Sequence, residues 1–236
     1  MRPTPSTAQF WPAELSSPAL DAEAVAEATL ATTLVAAVAT AAAFRGLYWA
    51  AARLDRPRPS APQYTSRYVS TVHAVVLVAL GLAPRGAWWP CAARAVPLGY
   101  LAHDAALLFA EPCLWDLGTA AHHLVFALLV AAAAAAYPAH TARAFLAEAS
   151  VPALNLGWMM VRTGADRRHP YAFGFVSVML LCTFASLRVW AFTALLLESV
   201  AEGVWGLAPL LLGLAAVNWY WFGLLLLRAR RAIARA

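Results

Sequence analysis

The chain has 236 residues, of which 62% are hydrophobic and only 12% are charged. Soluble globular domains carry about 25% charged residues, so this composition excludes an ordinary soluble domain and indicates a polytopic membrane protein. The formal net charge of +5 comes from arginines in short loops beside apolar runs. That pattern orients membrane helices and does not predict nucleic-acid binding.

The first 27 residues contain Pro, Ser and acidic side chains where a signal peptide would have a basic start and a short apolar core. We therefore expect residues 1–27 to be a short disordered lead-in. The three cysteines are scattered and have no CxxC spacing, so they predict neither a disulfide framework nor a zinc knuckle. They are Cys91, Cys113 and Cys182.

Seven apolar runs follow, separated by proline and charged residues that end helices and resist burial in lipid. A helix that crosses a bilayer needs roughly 20 apolar residues, and most of the runs reach this length. The second run is short and the sixth is long, so counts of six or eight are alternatives. The predicted spans cover residues 28–52, 68–83, 91–110, 118–137, 142–162, 171–197 and 206–227.

The arginines between these runs are distributed asymmetrically. With seven spans, eleven arginines fall on one side of the membrane and four on the other, which also receives most of the acidic residues. Because cytosolic loops are enriched in basic residues, this bias predicts an exterior or lumenal N-terminus and a cytosolic C-terminus. An even number of spans would scatter the bias, so the sequence favours seven.

Three predicted spans place ionisable side chains at one depth. His73, Asp104 and the pair His122 and His123 all lie roughly 9–10 Å below the cytosolic boundary, at about 1.5 Å per residue. Tyr100 precedes Asp104 by one helical turn and shares its face. Intramembrane ionisable residues usually face a bundle interior or a cavity. An aspartate beside a histidine fixes the ring tautomer and raises its basicity, so His122, His123 and Asp104 are candidate catalytic residues.

Other interpretations of the same side chains are available. A membrane histidine often serves as a helix–helix hydrogen bond. A zinc ion held by His73, His122 and Asp104 is a second alternative. A transporter is a third, although the polar groups do not continue as a lined path across the bilayer.

A second polar set follows the fifth predicted span. Glu148 and Asn155 repeat at helical spacing, and Trp158 flanks them. Pro152 has no N–H to donate to the carbonyl of Glu148, which predicts an open acceptor inside the bundle. Arg188 lies at a depth where Glu148 can meet it, and we interpret this pair as structural.

Four stretches in this order resemble the TLC-domain superfamily, which contains the ceramide synthases and a group of smaller TLC-domain proteins. The resemblance covers roughly residues 60–228. The stretches are RYVSTVHA at 67–74, GYLAHD at 99–104, the histidine pair at 122–123 and EASVPALNLGW at 148–158.

The resemblance implies an all-α fold in which six helices form a barrel around a lipid pocket in the endoplasmic reticulum. One extra span with its loop, at 28–58, would precede this domain, and a basic cytosolic tail at 229–236 would follow it. His122 and His123 would then transfer an acyl group from acyl-CoA as substrate, without a metal or other cofactor. The remaining candidate pocket residues are His73, Tyr100, Glu148, Asn155, Trp158 and Arg188.

One departure from the ceramide synthases concerns the fifth span. Those enzymes follow the histidine pair with a His-Asp-x-x-Asp run, whereas here Glu148 is the one acid that is kept. The Glu-x-Ser-x-Pro version looks like the smaller TLC-domain proteins, whose biochemistry is lipid homeostasis, membrane lipid composition or cargo handling. The alternative function is a non-catalytic lipid sensor, lipid carrier or regulator of membrane composition. Membrane lipids are the expected partners in both cases.

Overall fold

A computed structural model describes residues 30–55 and 61–233 of the protein. Within these ranges the chain is helical and contains no β-strand, which confirms the predicted all-α class. The expected disordered lead-in at 1–27 and the last three residues of the expected basic tail lie outside the described residues.

The described residues form seven long helical segments, which we number in chain order. Short helical turns at Pro112–Leu114 and Ala165–Arg168 connect the third segment to the fourth and the fifth to the sixth. The long segments are α1 (Leu30–Asp55), α2 (Ala61–Leu82), α3 (Trp89–Ala110), α4 (Leu117–Ala133), α5 (Pro138–Thr163), α6 (Pro170–Ala201) and α7 (Ala208–Ile233).

Five of these helices are long and apolar enough to cross a bilayer, namely α1, α2, α5, α6 and α7. The chain is therefore a membrane protein by the length and composition of its helices. Helix α3 has 22 residues, but Arg94, His103 and Asp104 lower its hydropathy. Helix α4 is apolar and only 17 residues long. Helices α3 and α4, which are not among these five, are thus the ones that carry Asp104 and the histidine pair.

Among the predicted boundaries that differ from the structure, two concern the helices that carry candidate site residues, α2 and α4. Helix α2 begins at Ala61 and not near residue 68, so Arg67 lies inside a helix and not in a loop. Helix α4 ends at Ala133, four residues before the predicted end of its span at residue 137. The cause is Pro138, which occupies the first turn of α5, where a missing N–H costs no hydrogen bond.

Helix α1 packs against α3 at a point of close backbone approach. A Cβ atom on Gly99 would lie 2.5 Å from the carbonyl oxygen of Ala37 and 2.6 Å from Cβ of Thr40. Only glycine leaves room for the α1 backbone here. At the start of α3, the indole N–H of Trp89 donates to the carbonyl of Leu80 at 2.9 Å, which ties α3 to the end of α2. These contacts fix the position of the helix that carries Asp104.

Helices α5 and α6 each contain an irregular segment, and the two segments are in contact. In α5, the tight turn Ala147–Ser150 lets the N–H of Val151 donate to the carbonyl of Glu148. The prediction that Pro152 leaves this carbonyl without a donor was therefore wrong, because the helix narrows to a 3₁₀ turn before the proline. In α6, the wider π-helical segment Phe184–Trp190 carries Arg188 toward the same place.

Candidate functional site

A cavity of about 310 Å³ lies among six of the seven helices. Side chains from α2 to α7 line it, and α1 contributes no lining residue within 30–55. The structure places every candidate residue from the sequence in this lining. These residues are His73, Tyr100, Asp104, His122, His123, Glu148, Asn155, Trp158 and Arg188.

Asp104 is the centre of a cluster that joins α2, α3 and α4. Nδ1 of His123 lies 3.0 Å from Oδ2 of Asp104, and the hydroxyl of Tyr100 donates to Oδ1 at 3.5 Å. The ring of His73 stacks on Tyr100 with centroids 3.7 Å apart. The predicted gathering of these side chains from three helices is confirmed. The N–H of His123 is not aligned for a hydrogen bond, so the carboxylate acts on the ring mainly through its charge in this conformation.

His122 faces a different wall of the cavity. Successive residues on an α-helix point about 100° apart, so the two imidazoles diverge from neighbouring positions. The ring of His122 packs beside Phe126 and lies 5.1 Å from the Trp221 ring of α7. Its Nδ1 atom is buried and has no hydrogen-bond partner among the described residues, as is also true of Nε2 of His73. Both residues line the cavity, so a polar group of a ligand there could supply the missing partner after a small movement of the side chain.

The predicted contact between Glu148 and Arg188 is confirmed. Nη2 of Arg188 lies 2.9 Å from Oε1 of Glu148, and Nε donates to the hydroxyl of Ser150 at 2.8 Å. Both charged side chains are nearly inaccessible to solvent. A buried ion pair needs both members, because removal of one leaves an uncompensated charge. The carboxylate of Glu148 is therefore already paired with Arg188.

A cationic cluster lies in the same cavity lining, toward the end of α5. Arg67 donates from Nη1 to Oδ1 of Asn155 at 2.9 Å, and its guanidinium lies 4.2 Å from the centre of the Trp158 ring. The guanidinium of Arg162 lies 5.2 Å from the same ring. The amide of Asn155 donates in turn to the carbonyl of Arg67 at 3.1 Å and to the hydroxyl of Thr71 at 2.9 Å. We call Arg67, Trp158 and Arg162 the arginine–tryptophan cluster.

From the sequence, Arg67 and Arg162 were counted only among the arginines that set orientation, with Arg67 just before the second predicted span and Arg162 at the end of the fifth, and so both were missed as cavity residues. A signal was present in the sequence. Thr71 and Ala74 follow Arg67 at helical spacing, and both point toward the interior. Extending α2 by two turns toward its start would have placed Arg67 inside the helix, on the face that it shares with Thr71 and Ala74.

Within 30–55 and 61–233, no three His, Cys, Asp or Glu side chains are grouped so that they would hold a metal ion. The zinc set considered from the sequence is not assembled, since the ring of Tyr100 packs on His73 while Asp104 faces His123. Tyr100 thus separates two of the three side chains that such a site would need.

Comparisons with protein-family models, with curated proteins and with solved structures found no match to this chain. The chemistry of the cavity therefore has to be inferred from its own residues. It combines a half-buried imidazole beside a carboxylate, two buried imidazoles, a buried arginine–glutamate pair and two further arginines. This set can hold an amphipathic ligand and accept a proton from it.

Proposed function

We propose that this chain is a membrane protein of lipid metabolism, similar to the smaller TLC-domain proteins, that holds an acyl chain or lipid in its cavity. In this proposal His122 and His123 transfer an acyl group from acyl-CoA to an amine or hydroxyl of a second lipid. The observation that carries the proposal is the contact between His123 and Asp104 inside a cavity that His122 also lines.

The proposed architecture has seven spans, of which α2 to α7 form the barrel and α1 stands outside it. The absence of lining residues from α1 within its described range supports this division. The arginine bias supports a lumenal N-terminus and a cytosolic C-terminus, so that the Asp104 cluster lies near the cytosolic face, where acyl-CoA is available. The resemblance to TLC-domain proteins is the basis for an endoplasmic reticulum location.

The proposed reaction follows from the roles of three side chains. His123 accepts the proton of the attacking amine or hydroxyl through Nε2, while the charge of Asp104 acts on the ring from the side of Nδ1. A C–N or C–O bond to the acyl carbon forms, the C–S bond of the thioester breaks, and His123 passes the proton to the leaving thiolate. His122, whose Nδ1 has no protein partner within 30–55 and 61–233, serves as the transient acyl acceptor in a two-step version.

A second candidate function is supported by the pairing of Glu148. Its carboxylate is held by Arg188, so the fifth helix supplies no free acid to the histidines. A cavity with this arrangement suits a lipid sensor, lipid carrier or regulator of membrane composition that binds lipid without turnover.

Purified protein incubated with labelled acyl-CoA and a panel of amine and hydroxyl lipids tests the catalytic form. The double variant His122→Ala/His123→Ala should form no acylated product. His103→Ala is the matched control, because His103 is buried on α3 beside Asp104 but does not line the cavity. If wild-type protein forms no more product than the double variant, the catalytic form is wrong.

Mass spectrometry of lipids that co-purify with the protein tests the second function. Lipid retained equally by wild-type protein and by the double variant, without turnover, would establish binding alone. Absence of retained lipid in both proteins would contradict both forms of the proposal.

A further inference from the structure

We infer that the arginine–tryptophan cluster is a binding site for a phosphate group of the ligand whose acyl part lies in the cavity. The inference rests on the proposed function, which places the ligand in the cavity. It adds that the ligand carries a phosphate group at this end of the cavity. Arg67, Trp158 and Arg162 all line the same cavity as the Asp104 cluster.

The first argument is the uncompensated charge. Two guanidinium groups lie over one indole ring, at 4.2 and 5.2 Å from its centre. Within 61–233, Arg143 and Arg188 each pair with a glutamate, whereas neither Arg67 nor Arg162 forms an ion pair with a carboxylate. Like charges at one ring repel, and an anion between or beside them removes the repulsion.

The second argument is that one arginine is already held in place. Nη1 of Arg67 is bonded to Asn155, whose amide is fixed by Thr71 and by the carbonyl of Arg67 itself. Stacking on Trp158 sets the plane of the guanidinium. The N–H groups not used by Asn155 have no protein partner within 61–233, and a planar guanidinium presents such groups in a fork that fits two phosphate oxygens. A site that is ordered before binding loses less side-chain entropy when the ligand arrives.

The third argument is position. Arg162 is exposed, whereas Arg67 and Trp158 are half-buried, so the cluster faces both the surrounding medium and the cavity. Trp158 follows Glu148 by ten residues along α5, which corresponds to roughly 15 Å of helix. A ligand with its phosphate at the cluster and its acyl part near the Glu148–Arg188 pair would extend over about this distance.

Two sources supply this chemistry. One is the nucleotide part of coenzyme A, which arrives from water, and the other is the headgroup of an anionic phospholipid, which arrives from the bilayer. Both present phosphate oxygens to the same arginines, so the experiment needs one arm for each source.

The experiment uses the full chain in nanodiscs of phosphatidylcholine. In the first arm, calorimetry measures the affinity for free coenzyme A. In the second, native mass spectrometry compares retention of phosphatidic acid with that of phosphatidylcholine. The variants are Arg67→Gln and Arg162→Gln, and the control is Arg167→Gln, which removes the same charge from an exposed residue outside the cavity lining.

Each cluster variant should weaken binding of one of the two probes by about ten- to a hundredfold, since a hydrogen bond to a charged group contributes on the order of 1.5–3 kcal/mol. The control should bind as wild type does. Because Arg162 is exposed, its variant tests the site even if Arg67→Gln fails to fold. Weakened binding of either probe supports the phosphate site and identifies its source. Equal binding of both probes by wild type, Arg162→Gln and Arg167→Gln would overturn it.

The same measurements separate this inference from the proposed function. The double variant His122→Ala/His123→Ala should bind the phosphate probe as wild type does, because neither imidazole belongs to the cluster. If the protein transfers acyl groups but the cluster variants bind both phosphate probes as wild type does, only this inference is refuted. If the cluster variants bind a phosphate probe more weakly but no lipid is retained in the cavity, only the proposed function is refuted.

Discussion

Asp104 of α3 and His123 of α4 meet across the cavity wall, with Nδ1 of the imidazole 3.0 Å from Oδ2 of the carboxylate. The aspartate is nearly inaccessible, whereas about a quarter of the histidine side chain is exposed, 23% by area. A buried carboxylate behind a more accessible imidazole is an arrangement that fixes the ring and leaves its other nitrogen for a substrate. In the proposed reaction, this relationship gives Asp104 a positioning role and His123 the role of base.

The variant Asp104→Asn tests whether Asp104 positions His123 for the reaction or is needed for lipid binding. The substitution keeps the size of the side chain and removes the charge that favours one tautomer of His123. We expect acyl transfer to fall about a hundredfold in kcat, with little change in retained lipid. Steady-state kinetics and lipid mass spectrometry provide the two measurements. Asp116→Asn is the control, since Asp116 caps α4 and asparagine caps a helix equally well.

Two other outcomes would contradict the positioning role of Asp104. If Asp104→Asn keeps the wild-type rate, the carboxylate does not act on His123 during the reaction. Loss of both rate and retained lipid would instead indicate that Asp104 maintains the cavity itself.

The Glu148–Arg188 pair gives a prediction about stability. Glu148→Met or Arg188→Met alone should lower the free energy of unfolding by about 3–5 kcal/mol, because each leaves a buried charge without its partner. The double variant Glu148→Met/Arg188→Met should recover most of this loss. Thermal unfolding of the four proteins in detergent measures the coupling. Additive losses in the double variant would show that the two side chains act independently.

The sequence was sufficient to predict that His73, Asp104 and the histidine pair lie at one level, but not which of the two histidines meets Asp104. Depth along a straight helix can be counted from a charged boundary at a fixed rise per residue, and this count aligned His73, Asp104 and the histidine pair. The contacts His73–Tyr100 and Asp104–His123 agree with that alignment. The same count brought Glu148 and Arg188 to one level, where they form their ion pair.

Other features depend on tertiary contacts that sequence spacing does not encode. Arg67 was assigned to a loop because a basic residue near a membrane boundary is compatible with a loop as well as with a helix end, and its spacing does not distinguish the two. Its place in the cavity depends on Asn155, which is 88 residues away in the chain. The 3₁₀ turn before Pro152 and the π segment around Arg188 are likewise local adjustments that arise where α5 and α6 pack together.

Cysteine labelling tests the proposed orientation. Cys113 is exposed in the turn between α3 and α4, which lies on the cytosolic side in the seven-span arrangement. Cys182 is also exposed, but it lies well inside α6, where the surrounding medium is lipid. In sealed microsomes, a membrane-impermeant maleimide should label Cys113 and spare Cys182. Cys113→Ser should abolish the signal, and labelling that requires opening of the lumenal side would reverse the proposed orientation.

Gly99 at the α1–α3 interface and Gly46 on the exposed side of α1 give a matched pair of substitutions. A methyl group at Gly99 would lie within 2.6 Å of α1 atoms, whereas nothing lies within 4 Å of a Cβ at Gly46. Gly99→Ala should therefore force α1 away from α3 and lower the free energy of unfolding by about 1–3 kcal/mol. Gly46→Ala should leave it unchanged or raise it by up to about 1 kcal/mol, because alanine favours the helix. Thermal unfolding in detergent measures both, and equal effects at the two positions would contradict the close approach of α1 to α3.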